Sequence, residues 1–339
     1  MKKTILSMAV ISASILASCS QDSAFVSPVP STDATTPNGN TNISITLTDD
    51  STRATVSESA EEWENDLTSL TIYAFDNSEN LLVRRDLSKT ERDSKEVSFA
   101  LPKSVAGSSC DFYAVANVDT SSATTKDALL AIIESDAAAY NGTFAEVTSK
   151  SVRDDGFIMS GVTTQNVGAE NTTTSVGITI KRTVAKVVLD LTLGSSFAAS
   201  YPTASLTFNS ATISKAATQT PVVSSVLSTG SMVYTHSQST TDGENIFYIY
   251  ENGDLASGER VLMEINATFD ADGSSATIDD QSEIIYSVEL SGDGEGAFTR
   301  NGFYTLAATI NGLVGQDCAV LISVADWETP VSQSVNLGM

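Results

Sequence analysis

The carboxylates of Asp270-Ala271-Asp272-Gly273 are spaced as at the start of a calcium loop. The complete loop needs Gly at its sixth position and a bidentate Glu at its twelfth. Counted from Asp270, those positions hold Ser275 and Gln281, so the segment reads as a hairpin turn. Gly292-Asp293-Gly294-Glu295-Gly296 lacks the Lys and the glycine spacing of a phosphate loop and reads as a flexible turn. His236, the single histidine, lies in a Ser/Thr/Gln-rich stretch with nothing beside it to complete a Ser-His-Asp triad. Acidic residues are abundant, but no spacing singles out two of them as a glycosidase pair. Apart from Cys19, the cysteines are Cys110 and Cys318, far apart and without a Cys-x-x-Cys. With one histidine available, the usual Cys/His zinc site is excluded. The two thiols read as small buried hydrophobes, with a disulfide between them still open in an oxidising compartment. The residues therefore nominate no catalytic group, no metal site and no cofactor, and the chain does not read as an enzyme.

Charge narrows the partners. The 339 residues carry 42 acidic and 18 basic side chains, a formal charge of −24. Nucleic-acid affinity comes largely from Lys and Arg neutralising phosphates, so such a surface repels it. It also disfavours polybasic attachment to a membrane. With 41% hydrophobic residues in strand-like runs, the chain does not read as disordered throughout.

Lys2 and Lys3 precede an apolar run from Ile5 to Leu16, the pattern of a secretory signal. The run is shorter than the roughly 20 residues of a spanning helix. It ends in Leu16-Ala17-Ser18-Cys19, which resembles a bacterial lipobox. That resemblance implies removal of residues 1–18, a lipid on the Cys19 thiol and an acyl chain such as palmitate on its amino group. Loss of Lys2 and Lys3 takes the charge from −24 to −26.

The remaining chain reads as strands hung from a tether. Residues 20–42 are rich in Ser, Thr, Pro, Asn and Asp, without apolar periodicity. Ile43, Ile45 and Leu47 then alternate with Ser44, Thr46 and Thr48, the period of a half-buried strand. A polar loop follows at 49–53, then a short helix over 58–66 capped by Ser57 or Ser59. Strands are expected over 68–75, 81–85, 97–101, 111–117, 157–161 and 176–180. A helix is expected over 125–139, with Leu129, Ile132 and Ile133 on one face. Beyond residue 180 strands are expected over 185–193, 205–213, 245–251, 261–270, 284–290, 303–310 and 318–325, and Val331, Val335 and Leu337 lie in a last alternating segment. Many short strands with Gly/Asn/Asp turns argue for an all-β protein of antiparallel sandwiches. The length suits two of them, with a boundary near residue 180.

Seven ordered segments carry a family resemblance: Leu67 to Asp76, Phe112-Tyr113-Ala114-Val115-Ala116-Asn117, Ile158-Met159-Ser160-Gly161, Lys181 to Val187, Phe247-Tyr248-Ile249-Tyr250-Glu251-Asn252, Arg300-Asn301-Gly302-Phe303-Tyr304 and Val324-Ala325-Asp326-Trp327. Behind a lipobox, this series resembles the fimbrillins, the lipoprotein-derived type V pilins of Bacteroidales-type bacteria. The resemblance implies two transthyretin-like sandwich domains with one or two short helices, residues 54–180 and 181–339, behind a 19–53 propeptide that holds the tether and first strand. It implies an outer-membrane lipoprotein precursor anchored by its lipid, then a cell-surface fimbria supporting adhesion.

In such a pilin a trypsin-like or Arg-specific protease cuts after the first strand. Here the matching bond is Arg53–Ala54, and Arg53 is the only basic residue between the signal and Arg84. The cut would release the strand of Ile43, Ile45 and Leu47. A tail of matching period, with Val331, Val335 and Leu337, would then fill the slot of a neighbouring subunit. Partners are accordingly other pilin subunits, as homopolymer or as tip and anchor subunits, and the processing protease. Two alternatives stand beside the shaft subunit: a pilus anchor that keeps its lipid and first strand, and a surface glycan-binding lipoprotein.

Overall fold

The computed structural model of the chain describes residues 40–49, 60–223, 226–240, 243–274, 276–314, 319–324 and 331–337. Alternation in the sequence becomes pleat in the fold. Strands in the first half are β1 (Thr41–Asp49), β2 (Leu70–Asp76), β3 (Leu81–Asp86), β4 (Glu96–Leu101), β5 (Ser109–Ala116), β6 (Ile133–Glu134), β7 (Met159–Asn166) and β8 (Thr173–Arg182). They are followed by β9 (Val184–Leu193), β10 (Ser205–Ala217), β11 (Thr220–Pro221), β12 (Met232–Ser239), β13 (Glu244–Tyr250), β14 (Leu262–Asp270), β15 (Gln281–Glu289), β16 (Phe303–Ile310), β17 (Ala319–Val324) and β18 (Val331–Leu337). The α-helices among the described residues are short: α1 (Lys89–Ser94), α2 (Lys126–Leu130), α3 (Phe144–Val147) and α4 (Ser195–Ser200).

The first seven-stranded sheet runs β3-β2-β5-β7-β8-β1-β4. It turns a corner at β7 and β8, which pair only at Met159↔Arg182 and Ser160↔Lys181. Gly161 marks that corner: a Cβ there would lie 2.1 Å from the Thr179 carbonyl oxygen, so only glycine allows the approach. Folded this way, β8-β1-β4 and β3-β2-β5-β7 enclose one core. Ile43, Ile45, Val97, Val176 and Ile178 meet Leu70, Ile72, Phe112 and Ala114 within it. β2 is buried along both faces, because Tyr73 and Phe75 on its other side pack with Leu129, Val222 and Val223.

In the second half β13-β9-β16-β18-β17 and β12-β10-β14-β15 are the two layers. Ala185, Val187 and Leu189 of β9 with Leu306 and Ile310 of β16 face Ala211 and Ile213 of β10 and Met263 and Ile265 of β14. This is an all-β, two-sandwich fold. Most strand pairs are antiparallel; β1/β8, β9/β16 and β16/β18 are parallel.

The helix expected over 125–139 ends at Leu130. Ile133 and Glu134 instead pair with Pro221 and Thr220, the Ile132 carbonyl accepts the Val222 amide at 2.9 Å, and residues 137–140 form a 3-10 turn. Leu129 is buried as the helical pattern requires, whereas Ile133 is exposed. Strand addition from a distant segment has overridden local propensity. The helix expected over 58–66 is a 3-10 turn, Glu62–Asn65. Cys110 is a buried free thiol, and Cys318 lies outside the described residues.

Candidate functional site

The alternation of Ile43, Ile45 and Leu47 places all three on one face of β1, at 0%, 0% and 3% exposure, with Thr46 and Thr48 outward. The strand lies between two neighbours. Ile43 and Ile45 are opposite Phe99 and Val97 of antiparallel β4 and opposite Thr174 and Val176 of parallel β8. Its ends are fastened by Asn42 N to Thr172 O at 2.9 Å and Leu47 N to Lys95 O at 2.8 Å. Among the described residues, β4 is the terminal strand of its sheet and pairs with β1 alone. Between Thr173 and Ile180, β8 likewise takes its strand partner from β1. Without β1, the two lips would stand about 9.5 Å apart, twice the usual strand spacing, each with unpaired backbone groups.

The C-terminal segment forms β18, seated in the chain's own second sheet. Val331, Val335 and Leu337 are in register with Tyr304, Ala308 and Ile310 of parallel β16, and antiparallel β17 flanks the other side. Thus β18 makes the same pair of connections that β1 makes, one parallel and one antiparallel. The lipidation residue Cys19 and the cleavage residues Arg53 and Ala54 lie outside the described residues.

A buried polar cluster that sequence reasoning did not assemble sits just beyond the 50–59 segment. Glu64 is wholly buried. Its Oε1 accepts from Lys186 Nζ at 2.9 Å and from Tyr248 OH at 2.6 Å. Burial, with the Glu64 charge beside it, pushes the Tyr248 phenol far above its ordinary range. Arg182 donates from Nε to Glu64 O at 2.9 Å, from Nη1 to Asn301 Oδ1 at 2.8 Å and from Nη2 to Asn65 Oδ1 at 2.6 Å. Trp63 stacks on Phe157 with ring centroids 5.9 Å apart. The turn after the first strand is therefore tied to β8, β9 and β13. The signal in the sequence was Lys181, Arg182 and Lys186 standing close together in an acidic chain.

The structure also brings Asp280 to Asp270 and Asp272, with ligand oxygens within 4.8 Å of one another. Such a set can hold a hard cation. Five of the six carboxylate oxygens already accept, from the Gly273, Ser274 and Asp272 amides and from Gln281 and Thr277, and Asp280 Oδ1 has no partner among the described residues. The sequence reading missed Asp280 because the hairpin, not local spacing, returns it to Asp270. His236 has its Nε2 at 3.0 Å from the Gly142 carbonyl oxygen, a packing contact.

The family profile of the major fimbrial subunit protein (FimA) matches residues 41–283. The chain belongs to the FimA family. It is accordingly a structural fimbrial protein of the cell surface, not an enzyme. No curated protein matches this FimA-family chain in sequence. Solved structures share its fold. A Parabacteroides distasonis protein described as a cell adhesion protein is 14% identical, with TM-score 0.56 over 79% of this chain and 87% of that one. A tip fimbrial protein of Porphyromonas gingivalis with a C-terminal truncation is 12% identical, with TM-score 0.52 over 87% of this chain and 99% of that one.

Proposed function

We propose that this FimA-family chain is a pilin subunit that assembles by protease-triggered strand exchange. It is exported as an outer-membrane lipoprotein through Cys19, cut between Arg53 and Ala54, and relieved of β1. The emptied slot takes β18 from the next subunit. Residues 54–180 and 181–339 act as the two domains of the mature subunit.

The observation that carries the proposal is the position of β1 as the sole strand partner of β4 among the described residues and as the partner of β8 through Ile180. Three fully buried aliphatic side chains are worth roughly 5–9 kcal/mol, and each backbone bond adds about 1 kcal/mol. A donor must repeat the period, since a slip of one residue turns the apolar set outward. Val331, Val335 and Leu337 do so, and the strand order around β18 matches the parallel-and-antiparallel setting of β1. Exchange costs the pairings of β18 with β16 and β17 and regains two equivalent pairings next door. The free-energy difference comes mainly from exposing the slot.

Before the cut, β1 is tethered and holds the slot at high effective concentration. Proteolysis removes that advantage. The Glu64 cluster keeps the turn after the cut attached to the body, so trimming need not loosen the second half. Arg53→Ala is expected to reach the surface as a lipidated monomer that forms no ladder on an unboiled gel, while wild type begins at Ala54 and forms one. Polymer of normal size from Arg53→Ala would overturn the mechanism. A mature wild-type N-terminus at Cys19 would make the chain a pilus anchor instead.

A further inference from the structure

Three of the chain's eight arginines, Arg84, Arg92 and Arg153, line one cleft of about 490 Å³. It lies at the end of the first sheet where β2 begins and β3 and β5 end. Each guanidinium is partly committed to the fold. Arg84 donates from Nε to Tyr73 OH at 3.2 Å and from Nη1 to Asp86 at 2.8 Å. Arg92 donates from Nε and Nη1 to the carbonyls of Leu67 and Leu87, at 3.0 and 2.8 Å. Arg153 donates from Nη1 to the carbonyls of Asn117 and Gly156, at 2.8 and 3.0 Å. Each leaves its Nη2 without a hydrogen bond among the described residues.

The cleft also carries acceptor residues. Asp155 lines the cleft; its backbone carbonyl accepts from Thr68, and its carboxylate makes no hydrogen bond among the described residues. Asp119 accepts from the Ser121 amide at 2.8 Å, and the Ser121 side chain also supports its carboxylate. Thr120, at 1% exposure, also lines the cleft, and its buried Oγ1 makes no hydrogen bond among the described residues. A buried hydroxyl of this kind ordinarily has a partner.

The ligand chemistry follows from the balance. Asp86, Asp119 and Asp155 offset the three arginines, so a small anion meets carboxylates as well as guanidinium groups. An apolar ligand would find few apolar side chains. A hydroxyl-rich neutral molecule donates and accepts at each oxygen, and a vicinal diol matches both the fork of a guanidinium and the two oxygens of a carboxylate. We propose that this cleft binds a neutral saccharide of one or two sugar residues. Its volume is in the usual range for small-molecule sites. A single cleft without an aromatic platform binds weakly; repetition along a fimbria would multiply the avidity. Only that multiplication rests on the assembly proposal.

The test uses the full Arg53→Ala chain on an array holding neutral, sialylated and sulfated glycans, with hits titrated by calorimetry. The chain is isolated as a monomer by size-exclusion chromatography before assay, so the binding readout is separate from polymerisation. Binding to neutral glycans is expected, weakened at least about tenfold by Asp155→Asn and by Asp119→Asn. Neither substitution should move the thermal midpoint, since Asn keeps the turn acceptor at 119 and the Asp155 carboxylate holds nothing in the fold. No binding to neutral glycans, binding confined to sialylated or sulfated glycans, or neutral binding that both variants retain would each overturn the assignment.

Discussion

Removing the first strand is the perturbation with the largest consequence worked from the structure. A chain of residues 54–339 lacks β1 and so loses the burial of Ile43, Ile45 and Leu47, which are 0%, 0% and 3% exposed in the full chain. The loss is roughly 5–9 kcal/mol before any backbone bond is counted. Total domain stability is only about 5–15 kcal/mol, so the first sandwich should stand near its threshold when monomeric. β4 should respond most, because β1 is its only strand partner among the described residues. Hydrogen exchange read by mass spectrometry should find residues 96–101 at least about a thousandfold less protected in the shortened monomer. Size-exclusion chromatography of the same sample confirms that the species is monomeric. A synthetic peptide of residues 41–49 added in trans should restore protection, and one of residues 330–339 should do so in part. Unchanged protection of β4, or a loss of stability below about 2 kcal/mol in urea, would refute the energetic basis of strand exchange.

The buried cluster makes separate predictions. Lys186→Met leaves the Glu64 carboxylate buried beside Tyr248 and should cost about 3–5 kcal/mol in urea unfolding, much of it recovered by adding Glu64→Gln. Asn117 has φ 64°, accepts from the Thr68 and Ser69 amides and donates to the Asp66 and Phe157 carbonyls. Asn117→Ala should therefore destabilise by about 2–4 kcal/mol, measured by urea or thermal unfolding. Burial pushes the Cys110 thiol up to about 11, with the charges of Asp76 and Asp111 acting in the same direction. Native chain should leave Cys110 unalkylated by iodoacetamide at pH 8 and react there once unfolded. Because the folded value exceeds the ordinary 9.0, the associated stability is intact below pH 9 and is lost as pH rises from 9 to 11. Wild type should accordingly lose more stability across that window than Cys110→Ala does.

Much of the fold was legible because a strand writes its period into neighbouring residues. Ile43, Ile45 and Leu47 announce both a strand and its buried face, and Thr173–Arg182 does the same through Val176, Ile178 and Ile180. Segments that answer to a distant partner were not legible. Residues 131–140 carry a helical pattern, yet Thr220 and Pro221 pair with Ile133 and Glu134 and the helix stops. Asp280 joins Asp270 only through hairpin register.

By itself, the sequence determined the strand class, the apolar faces and the matched alternation of the segments at 43–47 and 331–337. Each is a local property, set by side-chain type and the two-residue repeat of extended backbone. Tertiary structure decided that β1 is the partner of β4 and β8, that β18 occupies the same kind of setting in the second sheet, that Glu64 meets Lys186 and Tyr248, and that three arginines share one cleft. Pairing, ion pairs and clefts join residues tens to hundreds of positions apart. They exist only once the sheets have closed, when burial makes each unmet hydrogen bond costly enough to select its partner.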